Sequence, residues 1–161
     1  RVPTDINALV HEIAERVAPF IAIRKQTLLI ETADGLDELC IDRNKIQDSI
    51  SNLLINAIKF TPDDGTITIS SSQENDCYKI SIVDTGMGIE PEALPHVFDA
   101  FFTCFDTTNH TSGLFEYGAH GLGLGLTLVR LFVDMHDGEI TVDSTHGEGS
   151  TFTMILPITK A

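Results

Sequence analysis

The segment GLGLGLTLVR, residues 121–130, combines residue types and spacing that could support chemistry. Gly121, Gly123 and Gly125 alternate with leucines and lead into an apolar stretch of helical character. The leucines require burial, which distinguishes the segment from a flexible glycine linker. A packed glycine loop at a helix start presents free backbone N–H groups and the positive end of the helix dipole, which bind anions. The segment is therefore consistent with a phosphate site, and also with close packing at a helix entry.

A second group of polar residues lies in the segment that follows Asp42. Asn52, Asn56 and Lys59 are spaced i, i+4 and i+7, which places them on one face of a helix, beside its apolar stripe. A solvated helix face would explain them. However, asparagine is a poor helix former, an amide oxygen is a hard ligand suited to Mg²⁺, and lysine neutralises phosphate. The departure from helix propensity favours a functional role.

A third group is VDTGMGI, residues 83–89, where Asp84 ends a predicted buried strand ahead of a turn containing Gly86 and Gly88. The carboxylate could cap the turn. If it faces a pocket, it can accept a hydrogen bond from an exocyclic amine such as that of adenine, and the glycines would give a flat base access to the backbone. The aromatic segment FDAFF, residues 98–102, follows, and core packing beneath a loop would also explain it.

The composition limits the classes of function. The chain has 161 residues, of which 42% are hydrophobic, enough for one domain over residues 1–161. Its formal charge of −14 argues against binding nucleic acid or an anionic membrane through a basic surface. A polyanionic ligand would need local help such as Mg²⁺. The isolated cysteines Cys40, Cys77 and Cys104 indicate neither a disulfide framework nor a zinc ribbon, and favour a cytoplasmic setting. The spacing of Cys104, His110 and His120 matches no common zinc pattern.

The elements that must position these groups follow from periodicity and turn residues. Helices are predicted over residues 5–25, 42–61, 90–98 and 123–136, with Pro19 kinking the first or ending it early. Strands are predicted near residues 27–31, 38–41, 66–72, 78–84, 139–144 and 150–156. Helices and strands are partly segregated, which predicts an α/β two-layer sandwich. We expect a mixed, mostly antiparallel sheet of about five strands with helices on one face, and a mobile lid over about 99–122.

Taken together, the segments resemble the conserved boxes of sensor histidine kinases. DRNKIQDSISNLLINAIKFTP is similar to the N box, DTGMGI to the G1 box, FDAFF to the F box and GLGLGL to the G2 box. HGEGSTFTMILP resembles the closing strand pair of the same family. The boxes occur in the family's order and cover the chain from Asp42 onward. The resemblance implies the Bergerat, or GHKL, fold, in which Mg²⁺ and ATP lie between the N-box helix and a mobile lid.

The resemblance also implies roles for single residues. Asn56 would bind Mg²⁺, while Asn52 and Lys59 would contact the phosphates or the metal. Asp84 would receive the adenine amine, Gly86 and Gly88 would shape the base pocket, and Thr151 would support adenine directly or through water. The remaining cofactor-binding residues that it implies lie in the aromatic and glycine-rich segments: Phe101, Gly121, Leu122, Gly123, Gly125 and Leu126.

The residue at position 52 separates activities within this superfamily. Members that hydrolyse ATP resemble one another in carrying a glutamate there, and the amide of Asn52 cannot act as a general base. The resemblance therefore implies transfer of the γ-phosphoryl group to a histidine on a separate dimerisation domain, preceding this chain, and then to a response regulator. His11 lacks the arginine, polar residue and proline that follow the family's phosphoacceptor, and is interpreted as an ordinary helix histidine.

One departure from the family leaves an alternative open. Lids of this family usually carry a lysine or arginine that meets the γ-phosphate, whereas histidines are the only basic residues between Lys79 and Arg130. His110 and His120 are candidates for that role, as is a side chain from the other domain. The alternative is a degenerate nucleotide-binding module that senses ATP or docks a partner without transfer.

Overall fold

The computed structural model describes residues 1–102 and 125–159. The helices are α1 (Ile6–Ile23), α2 (Arg43–Phe60) and α3 (Gly125–Asp134), with one 3-10 turn at Leu94–His96. The strands are β1 (Val2–Thr4), β2 (Thr27–Thr32), β3 (Leu39–Ile41), β4 (Thr66–Glu74), β5 (Cys77–Asp84), β6 (Glu139–Thr145) and β7 (Gly149–Pro157). Of the helix predicted over 90–98, only the three-residue 3-10 turn is present.

The main sheet has five strands in the order β2-β4-β5-β7-β6. The β2–β4 pair is parallel and the other three pairs are antiparallel, which confirms a mixed, mostly antiparallel sheet. The strand predicted near 38–41 forms but does not join this sheet. It pairs instead with β1, an unpredicted strand of three residues, in a separate two-stranded ribbon.

The three helices share one hydrophobic core with one face of the main sheet. Alternate strand residues point into this core, because successive side chains of a strand lie on opposite faces. Ile67, Ile82 and Met154 are at most 1% exposed, and they join helix residues such as Leu54 and Val129 in a single cluster. The outward residues of these strands are mostly half-buried or exposed. The predicted two-layer α/β sandwich is therefore confirmed.

Pro19 is expected to kink α1 or to end it early. The helix continues through Pro19 to Ile23, so the early end is wrong. A proline inside a helix removes one backbone hydrogen bond. Ile21, two residues further, is buried in the core, and its packing helps to offset that loss. Within the described ranges, no helix is both long and apolar enough to cross a membrane.

Both ends of α2 are held by polar contacts. At its start, Asp42 is the N-cap and accepts from the Lys45 N–H, while the Asp42 N–H donates to Nε2 of buried His136 over 2.9 Å. At its end, buried Arg24 donates to the carbonyls of Ile58 and Thr61, over 2.8 and 2.7 Å. The last carbonyls of a helix have no partners within it, so a buried guanidinium is a strong substitute. These contacts fix α2 relative to α1 and α3.

We expect Arg24→Met to lower the free energy of unfolding by about 2–4 kcal/mol, because carbonyls at the end of α2 lose charged donors. Urea unfolding at pH 7 measures the change. Arg16→Met is the matched control, since Arg16 forms an exposed i, i+4 pair with Glu12 and such pairs contribute less than about 1 kcal/mol. Equal, small losses in the two variants would contradict a structural role for Arg24.

Candidate functional site

The amide groups of α2 lie at the edge of its buried stripe. Asn52 and Asn56 are half-buried, whereas Leu53 and Ala57 beside them are buried. In the described part of the chain, neither amide side chain makes a hydrogen bond to another residue. Two amides one turn apart are therefore available to a ligand.

Lys59 lies deeper than the spacing predicts. Its residue surface is 7% exposed, so it belongs to the buried side of α2 and not beside the apolar stripe. Burial lowers the pKa of its ammonium group below the ordinary value of 10.5. No carboxylate within the described ranges pairs with it. The last turn of a helix favours a cation, which offsets part of the cost of burying the charge.

The start of α3 lies against Asn52. A Cβ atom built on Gly125 would lie 3.3 Å from Asn52 Oδ1, so a glycine permits this close approach. Leu126 packs against the hydrophobic core. Gly121, Leu122 and Gly123 lie outside the described residues, as do Cys104, His110 and His120. The structure thus joins one residue of the glycine-rich segment to the amide face of α2.

Asp84 ends β5 with its side chain directed into the helix-covered face. It is 8% exposed, and its carboxylate accepts a hydrogen bond from the Gly86 N–H over 2.9 Å. Burial raises the pKa of Asp84, and hydrogen bonds from the backbone N–H groups of Gly86 and Ser150 oppose that shift. The Asp84 carboxylate therefore caps the turn, as the sequence allowed. A carboxylate in so unfavourable an environment is also a candidate for ligand binding.

The turn after Asp84 is held between α2 and the β6–β7 hairpin. A Cβ on Gly86 would collide with the Phe60 carbonyl at the end of α2. Gly88 has φ +68°, and a Cβ there would collide with the Thr145 carbonyl. The Met87 N–H donates to Phe60 O over 3.2 Å. Gly86 therefore lets the turn contact the C-terminus of α2, and Gly88 lets it contact the end of β6.

Strand register separates Thr151 from Asp84. Ser150 pairs with Asp84 across β5 and β7, whereas Thr151 pairs with Val83. Because side chains alternate along a strand, Thr151 lies on the open face of the sheet and Ser150 lies on the face of Asp84. Ser150 is 8% exposed. The alternation that buries Phe152 and Met154 also predicts an inward residue 150, a signal that the sequence analysis missed.

Two phenylalanines of the aromatic segment, Phe98 and Phe101, have different environments. Phe98 packs edge-on against Phe152, with ring centroids 6.2 Å apart, and its carbonyl accepts from Thr127 Oγ1 over 3.1 Å. Phe98 thus has the core-packing role that the sequence also allowed. Phe101 is 72% exposed and has φ +63°. Of the expected lid over 99–122, residues 99–102 are described and the rest lie outside the described residues.

Helix α2 connects the two halves of this arrangement. Its C-terminal carbonyl at Phe60 contacts the turn after Asp84, and Asn52, eight residues earlier, contacts the start of α3. At 1.5 Å per residue these contacts are about 12 Å apart. One end presents a buried hydrogen-bond acceptor, and the other presents amides beside a helix start. The two ends of α2 therefore carry different polar groups, a carboxylate beside one and amides at the other.

Comparison with known proteins gives a consistent family. Residues 41–160 match the family described as histidine kinase-, DNA gyrase B- and HSP90-like ATPase. The chain is 34% identical over 154 residues to the sensor histidine kinase ZraS of Escherichia coli strain K12, an alignment that covers 96% of this chain and 30% of that protein. The chain spans less than a third of the length of the first curated relatives that it matches.

Two solved structures support the same relationship. Full-length ShkA in complex with AMPPNP matches with a TM-score of 0.84 at 25% identity, covering 99% of this chain and 31% of that one. The catalytic domain of histidine kinase ThkA matches with a TM-score of 0.81 at 27% identity, covering 98% of this chain and 95% of that one. The chain therefore belongs to the histidine kinase-, DNA gyrase B- and HSP90-like ATPase family, and within it resembles the catalytic domains of sensor histidine kinases.

Proposed function

We propose that this chain binds ATP with Mg²⁺ and donates the γ-phosphoryl group to a histidine on a separate dimerisation domain. The observation that carries the proposal is the buried Asp84 carboxylate, connected through α2 to the amides of Asn52 and Asn56. The AMPPNP in the matched ShkA structure supports a nucleotide as the ligand.

At the base end, the Asp84 carboxylate accepts from the exocyclic amine of adenine. Its low exposure strengthens that hydrogen bond, because little water competes for the carboxylate. The turn containing Gly86 forms one wall of the base pocket. Ser150 takes the supporting position that the resemblance gave to Thr151, since it shares a strand face with Asp84.

At the phosphate end, the residues present fit a magnesium ion. The Asn56 amide oxygen is a hard ligand without a hydrogen-bonding partner in the described ranges, and it would hold the ion together with oxygens of the nucleotide and water. Asn52 contacts phosphate oxygens there. The resemblance gives Lys59 the same role, from its buried position in the last turn of α2. When bound, Mg²⁺ supplies the positive charge that a chain of net charge −14 lacks. The resemblance also gives phosphate contacts to Gly121 and Gly123, which lie outside the described residues.

The chemistry favours transfer over hydrolysis. A neutral imidazole nitrogen of the partner histidine forms a bond to the γ-phosphorus, the bond from that phosphorus to its bridging oxygen breaks, and ADP leaves with the electron pair. Asn52 holds the phosphates but cannot remove a proton from water. A response-regulator aspartate accepts the group next, in a cytoplasmic setting. His11 lies exposed on α1, and we interpret it as an ordinary helix histidine because the residues after it differ from those of the family's phosphoacceptor.

A nucleotide-binding module without transfer is the second candidate. The observation in its favour is the lack of lysine and arginine between Lys79 and Arg130. Such a module would bind ATP through the same residues, and the transfer assay below separates the two candidates.

We expect Asp84→Asn to weaken ATP binding about 10- to 100-fold, because the amide loses a charge-assisted acceptor worth about 1.5–3 kcal/mol. Calorimetric titration with ATP and Mg²⁺ measures the affinity. Asp143→Asn removes an exposed carboxylate from β6 and should leave the affinity unchanged. Unchanged affinity in folded Asp84→Asn would refute the assignment of the base pocket.

The same substitution should stabilise the empty protein. Because burial raises the pKa of Asp84 above 3.8, the folded state holds its proton more tightly than the unfolded state. Stability therefore falls as pH rises from 3.8 through the folded-state pKa. Asp84→Asn does not titrate, so it should gain about 0.5–2 kcal/mol at pH 7. Urea unfolding should show the gain shrinking toward pH 4. A gain that is independent of pH would contradict this origin.

We expect this chain to bind radiolabelled ATP without labelling itself, because Asn52 cannot activate water and His11 lacks the residues that follow the family's phosphoacceptor. Adding the histidine domain of the parent protein should give slow transfer to a product with the acid lability of phosphohistidine. Transfer is slow because separate domains lose the roughly millimolar effective concentration of a tether. Label at His11, or rapid ATP turnover without an acceptor, would contradict the mechanism. Binding without transfer to the correct partner would favour the second candidate.

A further inference from the structure

Ser144 lies on β6 with its side chain directed toward the face that carries Ser150. Its hydroxyl meets three polar groups: the Ile89 N–H at 2.8 Å, the Gly149 carbonyl at 2.9 Å and the Ser150 hydroxyl at 2.8 Å. Ser144 thus joins the end of the glycine turn, the β6–β7 hairpin and the residue opposite Asp84. None of the roles derived above uses it.

The three contacts fix the direction of each hydrogen bond. A serine hydroxyl has one proton and two lone pairs. The Ile89 N–H can only donate to Ser144, and the Gly149 carbonyl can only accept from it. The single proton of Ser144 is therefore used on Gly149, and in the serine pair Ser150 must donate to Ser144. All three hydrogen-bonding positions of Ser144 are then filled.

The direction of this hydrogen bond leaves the Ser150 hydroxyl as an acceptor only. Its own proton is held by Ser144, so its hydroxyl offers only lone pairs to its other neighbours. Asp84, directly across the strand pair, is an acceptor as a carboxylate. Two acceptors thus lie side by side on one face of the sheet, an arrangement that suits a group carrying two N–H bonds and repels a carbonyl oxygen.

We propose that Ser144 is a positioning residue that holds Ser150 as an acceptor and so favours a purine with an exocyclic 6-amine over its 6-oxo counterpart. The inference rests on the proposed function, because it assumes that the base lies against Asp84. Asp84 sets part of this preference. The fixed hydroxyl adds to it, because a freely rotating Ser150 could turn its proton toward a 6-oxo group and stabilise the wrong base.

The test compares ATP with inosine triphosphate, which differs by an oxygen in place of the 6-amine. Dissociation constants of both nucleotides with Mg²⁺ are measured by calorimetry for the wild-type chain and for Ser144→Ala. We expect the ratio of the two constants, inosine triphosphate over ATP, to fall about three- to tenfold in Ser144→Ala, the size of one hydrogen bond. Ser144→Thr keeps the hydroxyl and should retain the wild-type ratio.

Ser81→Ala is the matched control. The Ser81 hydroxyl lies 3.1 Å from Thr153 Oγ1, so this variant also removes a hydroxyl pair from the main sheet, but on its open face. Its ratio should equal that of the wild-type chain. Ser150→Ala should lower the ratio as Ser144→Ala does, and the double variant should lower it no further, because Ser144 acts through Ser150.

The possible results distinguish a failure of the Ser144 role from a failure of the proposed ATP binding. If Ser144→Ala weakens the binding of ATP and of inosine triphosphate equally, the positioning role is wrong. It is also wrong if the effects of the two substitutions on the ratio add in the double variant. Neither result would count against ATP binding itself. No ATP binding by the wild-type chain would overturn the proposed function itself. If Ser144→Ala unfolds at the assay temperature, Ser144→Cys decides the question, because its thiol is a poor donor of similar size.

Discussion

Helix α2 positions both ends of the candidate site and is itself held at both of its ends. Its start is tied to α3 through the hydrogen bond from the Asp42 N–H to His136, and its end is held by Arg24. The turn after Asp84 contacts the Phe60 carbonyl, and the start of α3 contacts Asn52. A small displacement of α2 would therefore alter both ends of the site.

The site also contains two buried ionisable side chains whose burial lowers the stability of the fold. Asp84 and Lys59 are both buried. Burial raises the pKa of Asp84 and lowers the pKa of Lys59, so it favours the neutral form of each group. Charged groups at such positions destabilise the empty protein, and a ligand that pairs with them recovers part of that loss. An acidic chain that binds a polyanion needs such local arrangements, since its overall charge opposes the ligand.

The sequence predicted those features that depend on local periodicity. The strands of the main sheet, α2 and α3 follow from apolar spacing, and Gly86, Gly88 and Gly125 mark close approaches of the backbone. The errors come from tertiary context. Packing carries α1 through Pro19, and pairing with β1 draws β3 out of the main sheet. The register also places Thr151 on the open face and Ser150 on the face of Asp84, as the period of two along β7 indicates. The contacts of Ser144 join residues 5 to 55 positions away, beyond the reach of local patterns.

The central claim is that one ligand spans α2 from the turn after Asp84 to the start of α3. The most direct test is a titration of isotope-labelled chain with ATP and Mg²⁺, followed through the backbone amide signals in NMR spectra. The account predicts saturable changes concentrated at Gly86, Ser150, and the Asn52 and Gly125 region, with the open face around Ser81 and Thr153 unaffected. Changes confined to the open face, or none in a folded chain at millimolar ATP, would contradict it.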